Sequence, residues 1–146
     1  MAQNILELIK QDHEKTLKEL NNLESMSGSR DEPYRSMKRD LLAHMQGEET
    51  TLYPALEKDI RMKVLEAIEE HNTVKMVLEQ MDSMSSDDDR WKAKLMVVKE
   101  NVQHHIKEEE EGDIFKHSEE KFSRDELSSM GSRFEEAKGM APKMAR

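Results

Sequence analysis

The sequence contains no cysteine. That excludes disulfides, thiolate metal sites and cysteine nucleophiles, and it fits a reducing, cytoplasmic compartment. Proline and glycine are scarce, at three and five residues, so a glycine-rich phosphate cradle has no material to form from. Long hydrophobic runs are missing too. The longest, Leu95-Met96-Val97-Val98, is far short of the roughly 20 apolar residues a membrane helix needs, and no membrane partner is expected. The opening Met1-Ala2-Gln3-Asn4 has no basic segment leading into an apolar stretch, so no signal peptide is expected. Basic residues are outnumbered by acidic ones, 23 to 32, for a net charge of −9. A nucleic-acid binder usually carries a basic patch, so nucleic acid is not an expected partner.

Aromatic residues make up only 4% of the chain and charged residues 38%, a balance that raises the question of disorder. The placement of the apolar residues answers it, because they recur at helical spacing. The 146 residues match one domain. Punctuation divides them into long helical segments, about 4–26, 33–57 with a kink at Pro54, 59–82 and 88–111, with residues 114–121 unassigned. A short fifth helix, about 123–138, opens on the capping box Ser123-Arg124-Asp125-Glu126. Gly139 is expected to end it, with a frayed tail from Met140 to Arg146. The expected architecture is all-α: an up-down-up-down four-helix bundle over about 4–111 followed by the short C-terminal helix, in a single domain spanning 1–146.

Steps of three and four residues trace the buried seam of each helix. They read Leu6, Ile9, His13, Leu17, Leu20, Leu23; then Met37, Leu41, His44, Glu48, Leu52, Ala55. The other two read Val64, Ile68, His71, Val74, Leu78, Met81 and Trp91, Leu95, Val98, Val102, His105, Glu109. Every seam carries a histidine where an apolar residue is expected. Two carry a glutamate one helical turn further on the same face, His44 with Glu48 and His105 with Glu109. The chain thus holds two helical hairpins of one design, a His on the first helix and His-x-x-x-Glu on the second, which bring all six side chains to one level of the core.

Burying such groups uncompensated costs several kcal/mol per ionised residue, against a total stability of about 5–15 kcal/mol. A hydrogen-bond network within the protein could compensate them; bound cations do so better. Four imidazoles and two carboxylates are too many for one tetrahedral zinc and too nitrogen-rich for calcium or magnesium. Two carboxylate-bridged first-row metals fit best, with iron the usual occupant and zinc or manganese as alternatives. Of the remaining polar residues, His104 falls on the Val97, Glu100 and Asn101 side of its helix, and His117 is read as surface. Glu49 and Glu110 are read as solvated, and Tyr53, Trp91 and the methionines as packing.

These residues resemble the hemerythrin-like family, specifically its bacterial and archaeal HHE cation-binding members. The matching text is Asp12-His13-Glu14, His44-Met45-Gln46-Gly47-Glu48-Glu49 with Leu52-Tyr53-Pro54, Glu70-His71-Asn72 and His105-Ile106-Lys107-Glu108-Glu109-Glu110. The stretch from Glu110 through Ser123-Arg124-Asp125-Glu126-Leu127 to Lys138 also looks like that family's C-terminal segment, so the resemblance spans nearly the whole chain. The resemblance implies a non-haem di-iron site. His13 and His44 would bind one iron, His71 and His105 the other, with Glu48 and Glu109 bridging. It also implies O2 or a related small ligand as the partner, for storage, sensing or delivery. One position departs from the animal oxygen carriers, which place a second histidine one turn after the third-helix histidine; here that residue is Lys75. A site short of one nitrogen donor makes an enzyme removing peroxide or nitric oxide the alternative, and a metal-gated interaction module a further one. The sequence fixes neither an enzymatic role nor an oligomeric state.

Overall fold

The computed structural model describes residues 3–144; Met1, Ala2, Ala145 and Arg146 lie outside the described residues. It is all-helical, and no helix among the described residues is long and apolar enough to cross a membrane. Helix α1 spans Ile5–Ser25, capped by Asn4, whose side chain accepts from the Leu6 amide at 2.7 Å. It ends at the expected Ser27-Gly28-Ser29 stretch, where Gly28 takes a left-handed φ of 95° open to a residue without Cβ. Arg30 closes the exposed carbonyl end by donating to the Leu23 and Met26 oxygens at 2.9 and 2.6 Å.

Helix α2 spans Asp31–Gly47 and runs without a break into a π turn, Glu48–Leu52, and the short α3, Tyr53–Leu56. Pro54 explains the change of pitch, since it has no N–H to offer the Thr50 carbonyl and its ring crowds that oxygen. The Tyr53 amide instead reaches the Glu48 carbonyl, five residues back. Helix α4 spans Arg61–Asp82 and α5 spans Asp89–Glu111, the latter capped by Asp88. The unassigned stretch is itself a helix, α6, Asp113–Lys121, set off from α5 by extended Gly112. Its Ile114 and Phe115 are buried, closing one end of the bundle.

Helix α7, Arg124–Met144, begins at the expected capping box. Glu126 N donates to Ser123 Oγ at 3.1 Å, and Ser123 N donates to Glu126 Oε1 at 2.8 Å. The helix runs through Gly139 rather than stopping there, so the stretch expected to be a frayed tail is helical as far as Met144. This helix lies along α2, α1 and the π turn and buries Leu127, Met130, Phe134 and Ala137.

The apolar core forms two clusters. One gathers Ile5, Ile9, Leu52, Leu56, Val64, Phe115 and Phe134; the other gathers Leu20, Leu23, Met37, Leu78, Trp91, Leu95 and Val98. The buried histidines and glutamates of the seams stand apart from both. Close approach of α7 depends on Gly131, where a Cβ would stand 2.0 Å from the Gln3 carbonyl oxygen and 3.2 Å from the Ile5 amide. Gly131→Ala is therefore expected to destabilise the protein by about 2 kcal/mol despite the better helix propensity of alanine, lowering Tm by roughly 4–8 °C. A thermal melt checks this, and an unchanged or raised Tm would show that the chain start yields freely.

Candidate metal centre

All six residues expected on the seams meet in the core: His13 from α1, His44 from α2, Glu48 from the first position of the π turn, His71 from α4, and His105 and Glu109 from α5. Every one is buried, with Glu48, His71 and Glu109 at 0–1% exposure. They form two overlapping groups whose donor atoms lie within 4.8 Å of one another, His13–His44–Glu48–Glu109 and Glu48–His71–His105. Glu109 reaches both histidine pairs. Its Oε1 lies 3.3 Å from His13 Nε2 and its Oε2 3.5 Å from His105 Nε2. Glu48 Oε1 lies 3.2 Å from His44 Nε2 and 3.1 Å from His71 Nε2.

The orientation of the imidazoles is set from outside. Each Nδ1 faces a carboxylate: His44 faces Asp12 at 2.9 Å, His71 faces Glu49 at 2.7 Å, His105 faces Glu70 at 2.6 Å, and His13 faces Glu110 at 2.5 Å. The four pairings close a ring. Asp12 of α1 serves the histidine of α2, Glu49 of the π turn that of α4, Glu70 of α4 that of α5, and Glu110 of α5 that of α1. With Nδ1–H donating outward, the Nε2 lone pair of a neutral ring points into the core, as metal ligation requires. Sequence reasoning read Glu49 and Glu110 as solvated. Instead each half-buried carboxylate is engaged on an imidazole. The available signal was an acidic residue directly beside four of the six, Asp12 beside His13, Glu49 beside Glu48, Glu70 beside His71 and Glu110 beside Glu109, about 100° around the helix.

Tyr53 is the second departure. It does pack in the core, and its hydroxyl also enters the cluster, donating to Glu109 Oε2 and lying 3.2 Å from Glu48 Oε1. His71 Nε2 and His105 Nε2 stand 3.5 and 3.4 Å from the same oxygen. In an α-helix a residue five positions on is turned away by roughly 140°; the π turn brings Tyr53 back into line with Glu48. Lys75 does not enter the cluster. Its ammonium lies 3.6 Å from Glu49, the carboxylate that holds His71. His104 is exposed near Glu108 and Glu70, His117 pairs with Asp59 at 3.1 Å, and Trp91 packs edge-on against Tyr34.

Electrostatics shows how much the cluster strains against being buried. Burial pushes the His44 imidazole down, but Glu48 and Asp12 more than reverse this and raise it to about 10. His13 and His105 are likewise lowered by burial and then raised above the usual range by Glu109 with Glu110, and by Glu109, Glu48 and Glu70. Glu48 is raised by burial yet held well below the carboxylate range by His44 and His105. Burial, Glu109 and Glu48 together drive the Tyr53 phenol well above its ordinary value. Even so, His13 Nε2, His44 Nε2, Glu48 Oε2 and Glu109 Oε1 are fully buried and have no hydrogen-bond partner. Such orphaned atoms are rare in native cores. They converge on one point from four donors of metal-ligating type, so the residues present fit a bound cation.

Comparison with known proteins points the same way. The model of the family described as hemerythrin HHE cation binding domain matches residues 4–114. An uncharacterized hemerythrin-like protein of Schizosaccharomyces pombe is 35% identical over 107 residues, covering 70% of this chain and 52% of that protein. The chain thus spans about half the length of that relative. No solved structure matches it.

The proton distribution has a pH signature in the metal-free protein. His44 titrates near 10 when folded and near 6.5 when unfolded, so its stabilisation is full below 6.5 and is lost as pH rises through about 10. Glu48 shifts the other way, contributing above about 4.5 and losing its contribution as pH falls. The metal-free protein should therefore melt highest between about pH 4.5 and 6.5 and progressively lower toward pH 10. A Tm that rises from pH 6.5 to 9 in chelator-treated protein would contradict the charged, mutually neutralising cluster.

Proposed function

Because the chain belongs to the hemerythrin HHE cation-binding family, we propose that its core holds two non-haem iron ions and binds O2 or a related small ligand there. His13 and His44 hold one iron, and His71 and His105 hold the other. Glu109 from α5 and Glu48 from the π turn would be the carboxylates shared between them. The observation that carries this reading is the pair of carboxylates, each lying against histidines of both pairs. The Tyr53 hydroxyl lies on the His71 and His105 side, where Lys75 leaves out the nitrogen that a second histidine would provide.

Bound iron supplies the electrons for reaction with an oxygen ligand, and the chain supplies the setting. The four outer carboxylates keep the imidazoles from turning. The Tyr53 hydroxyl is the one proton donor inside the cluster able to hydrogen-bond a small ligand oxygen. On the other side a cavity of about 20 Å³ is lined by the four histidines with Leu41, Val74, Val102 and Ile106. That volume admits about one water-sized molecule, which suits a diatomic ligand and excludes an organic substrate, and its apolar walls limit water.

Turnover of peroxide is the second reading, favoured by a pocket of about 200 Å³ between α4, α5 and α6. It is lined by Lys63, Glu66, Glu70, Glu108 and Asp113 together with His105 and Glu109, a polar approach to the His105 side of the cluster. The two readings separate on anaerobic, iron-reconstituted protein. A carrier or sensor gives a new visible band with about one O2 taken up per iron pair. An enzyme consumes added peroxide over many cycles. Neither a band nor turnover at two irons per chain would remove the small-ligand function. Lys75→His is expected to add a nitrogen donor one turn from His71 and slow autoxidation of the reduced form several-fold; an unchanged rate would mean that this position does not limit the site.

A further inference from the structure

The family match ends at residue 114, yet one line of contacts into the metal centre starts beyond it. Lys138, on α7, places its ammonium 3.0 and 2.9 Å from the two carboxylate oxygens of Asp12. Asp12 Oδ2 in turn faces His44 Nδ1 at 2.9 Å. One turn earlier on the same helix, Phe134 is fully buried and meets the His44 ring edge-on, with centroids 5.8 Å apart. The ammonium is itself held from its own helix, 5.0 Å over the Phe134 ring and 3.3 Å from Glu135. Among the four outer carboxylates, Asp12 alone has both oxygens clamped by a cation in this way. Glu49 has Lys75 at 3.6 Å and Glu70 has His104 at 3.7 Å, each on a single oxygen.

We propose that Lys138 is a positioning residue of the metal centre, and that docking of α7 and metal occupancy of the His13–His44 half are coupled through Lys138, Asp12 and His44. The inference rests on the metal-centre reading above. The physical reason is rotational. A carboxylate on Nδ1 fixes its imidazole only if the carboxylate is itself fixed, and Asp12 is partly open to solvent, where it can swing toward water. Lys138 bridging both oxygens removes that freedom, while Phe134 blocks the ring from tilting. Partners one step removed from a metal typically change its affinity 10- to 100-fold. Linkage makes the effect reciprocal: a metal that pins His44 pins Asp12, and with it α7 around Lys138. A segment outside the matched domain thereby becomes sensitive to whether the core is loaded.

The probe is Co(II), whose visible absorption reports its ligands, titrated into the metal-free full chain. Wild type should bind two ions. Lys138→Met should weaken one of them by about 10- to 100-fold and leave the other, and Lys138→Arg, which keeps the charge, should recover most of the loss. Hydrogen exchange provides a readout that needs no variant. Cobalt loading should slow exchange in wild-type α7 around Phe134–Lys138 by about 5- to 150-fold, and this slowing should vanish in Lys138→Met if that variant folds. Two cobalt ions bound equally well by Lys138→Met, or α7 exchange indifferent to loading, would overturn the coupling while leaving the metal centre intact. A wild-type chain that takes up no cobalt would overturn both.

Discussion

Six ionisable side chains share a buried layer of the core, and their inward-facing atoms have too few partners within the protein. Much else in the molecule answers to that constraint. A domain with a net stability of about 5–15 kcal/mol cannot leave several buried polar atoms uncompensated. The imidazoles are therefore braced from outside by a closed ring of carboxylates, and the carboxylates Glu48 and Glu109 are placed between histidines. Apolar clusters lie to either side and hold the helices in register. The orphaned atoms are nitrogen and carboxylate oxygen donors lying within reach of one another, a set that fits a bound cation.

Much of this was legible in the residues. A histidine interrupting each apolar seam, with glutamate one turn beyond it on two helices, depends only on the helical period, and the structure brings those six positions together. The capping box at Ser123 and the break at Ser27-Gly28-Ser29 also follow from local chemistry. What escaped was whatever depends on a departure from α geometry or on a neighbouring helix. Tyr53 lies off the α-helical face of Glu48 and returns to it only through the π turn imposed by Pro54. Asp12, Glu49, Glu70 and Glu110 stand one position off the seams, where a carboxylate normally faces water. Nothing within a single helix reveals that the next helix presents an imidazole there. Helix α6 is short and strongly charged, and α7 continues past Gly139 because a single glycine costs a helix only about 1 kcal/mol and does not by itself end it.

Helix α7 makes the two halves of the centre unequal. The His13–His44 half is braced by a helix beyond the family match, through Lys138 and Phe134. The His71–His105 half faces Tyr53 and a solvent-accessible pocket. The two hairpins thus differ in their surroundings even though their histidine and glutamate pattern repeats.

The paired occupancy of the centre is the claim from which the functional reading follows, and anomalous diffraction at the iron edge from crystals of the iron-reconstituted protein tests it most directly. Two peaks about 3.5–4 Å apart are expected, one beside His13 and His44 and one beside His71 and His105, with Glu109 between them. A single peak, or density at the Glu70, His104 and Glu108 cluster nearer the surface with the buried histidines bare, would contradict it.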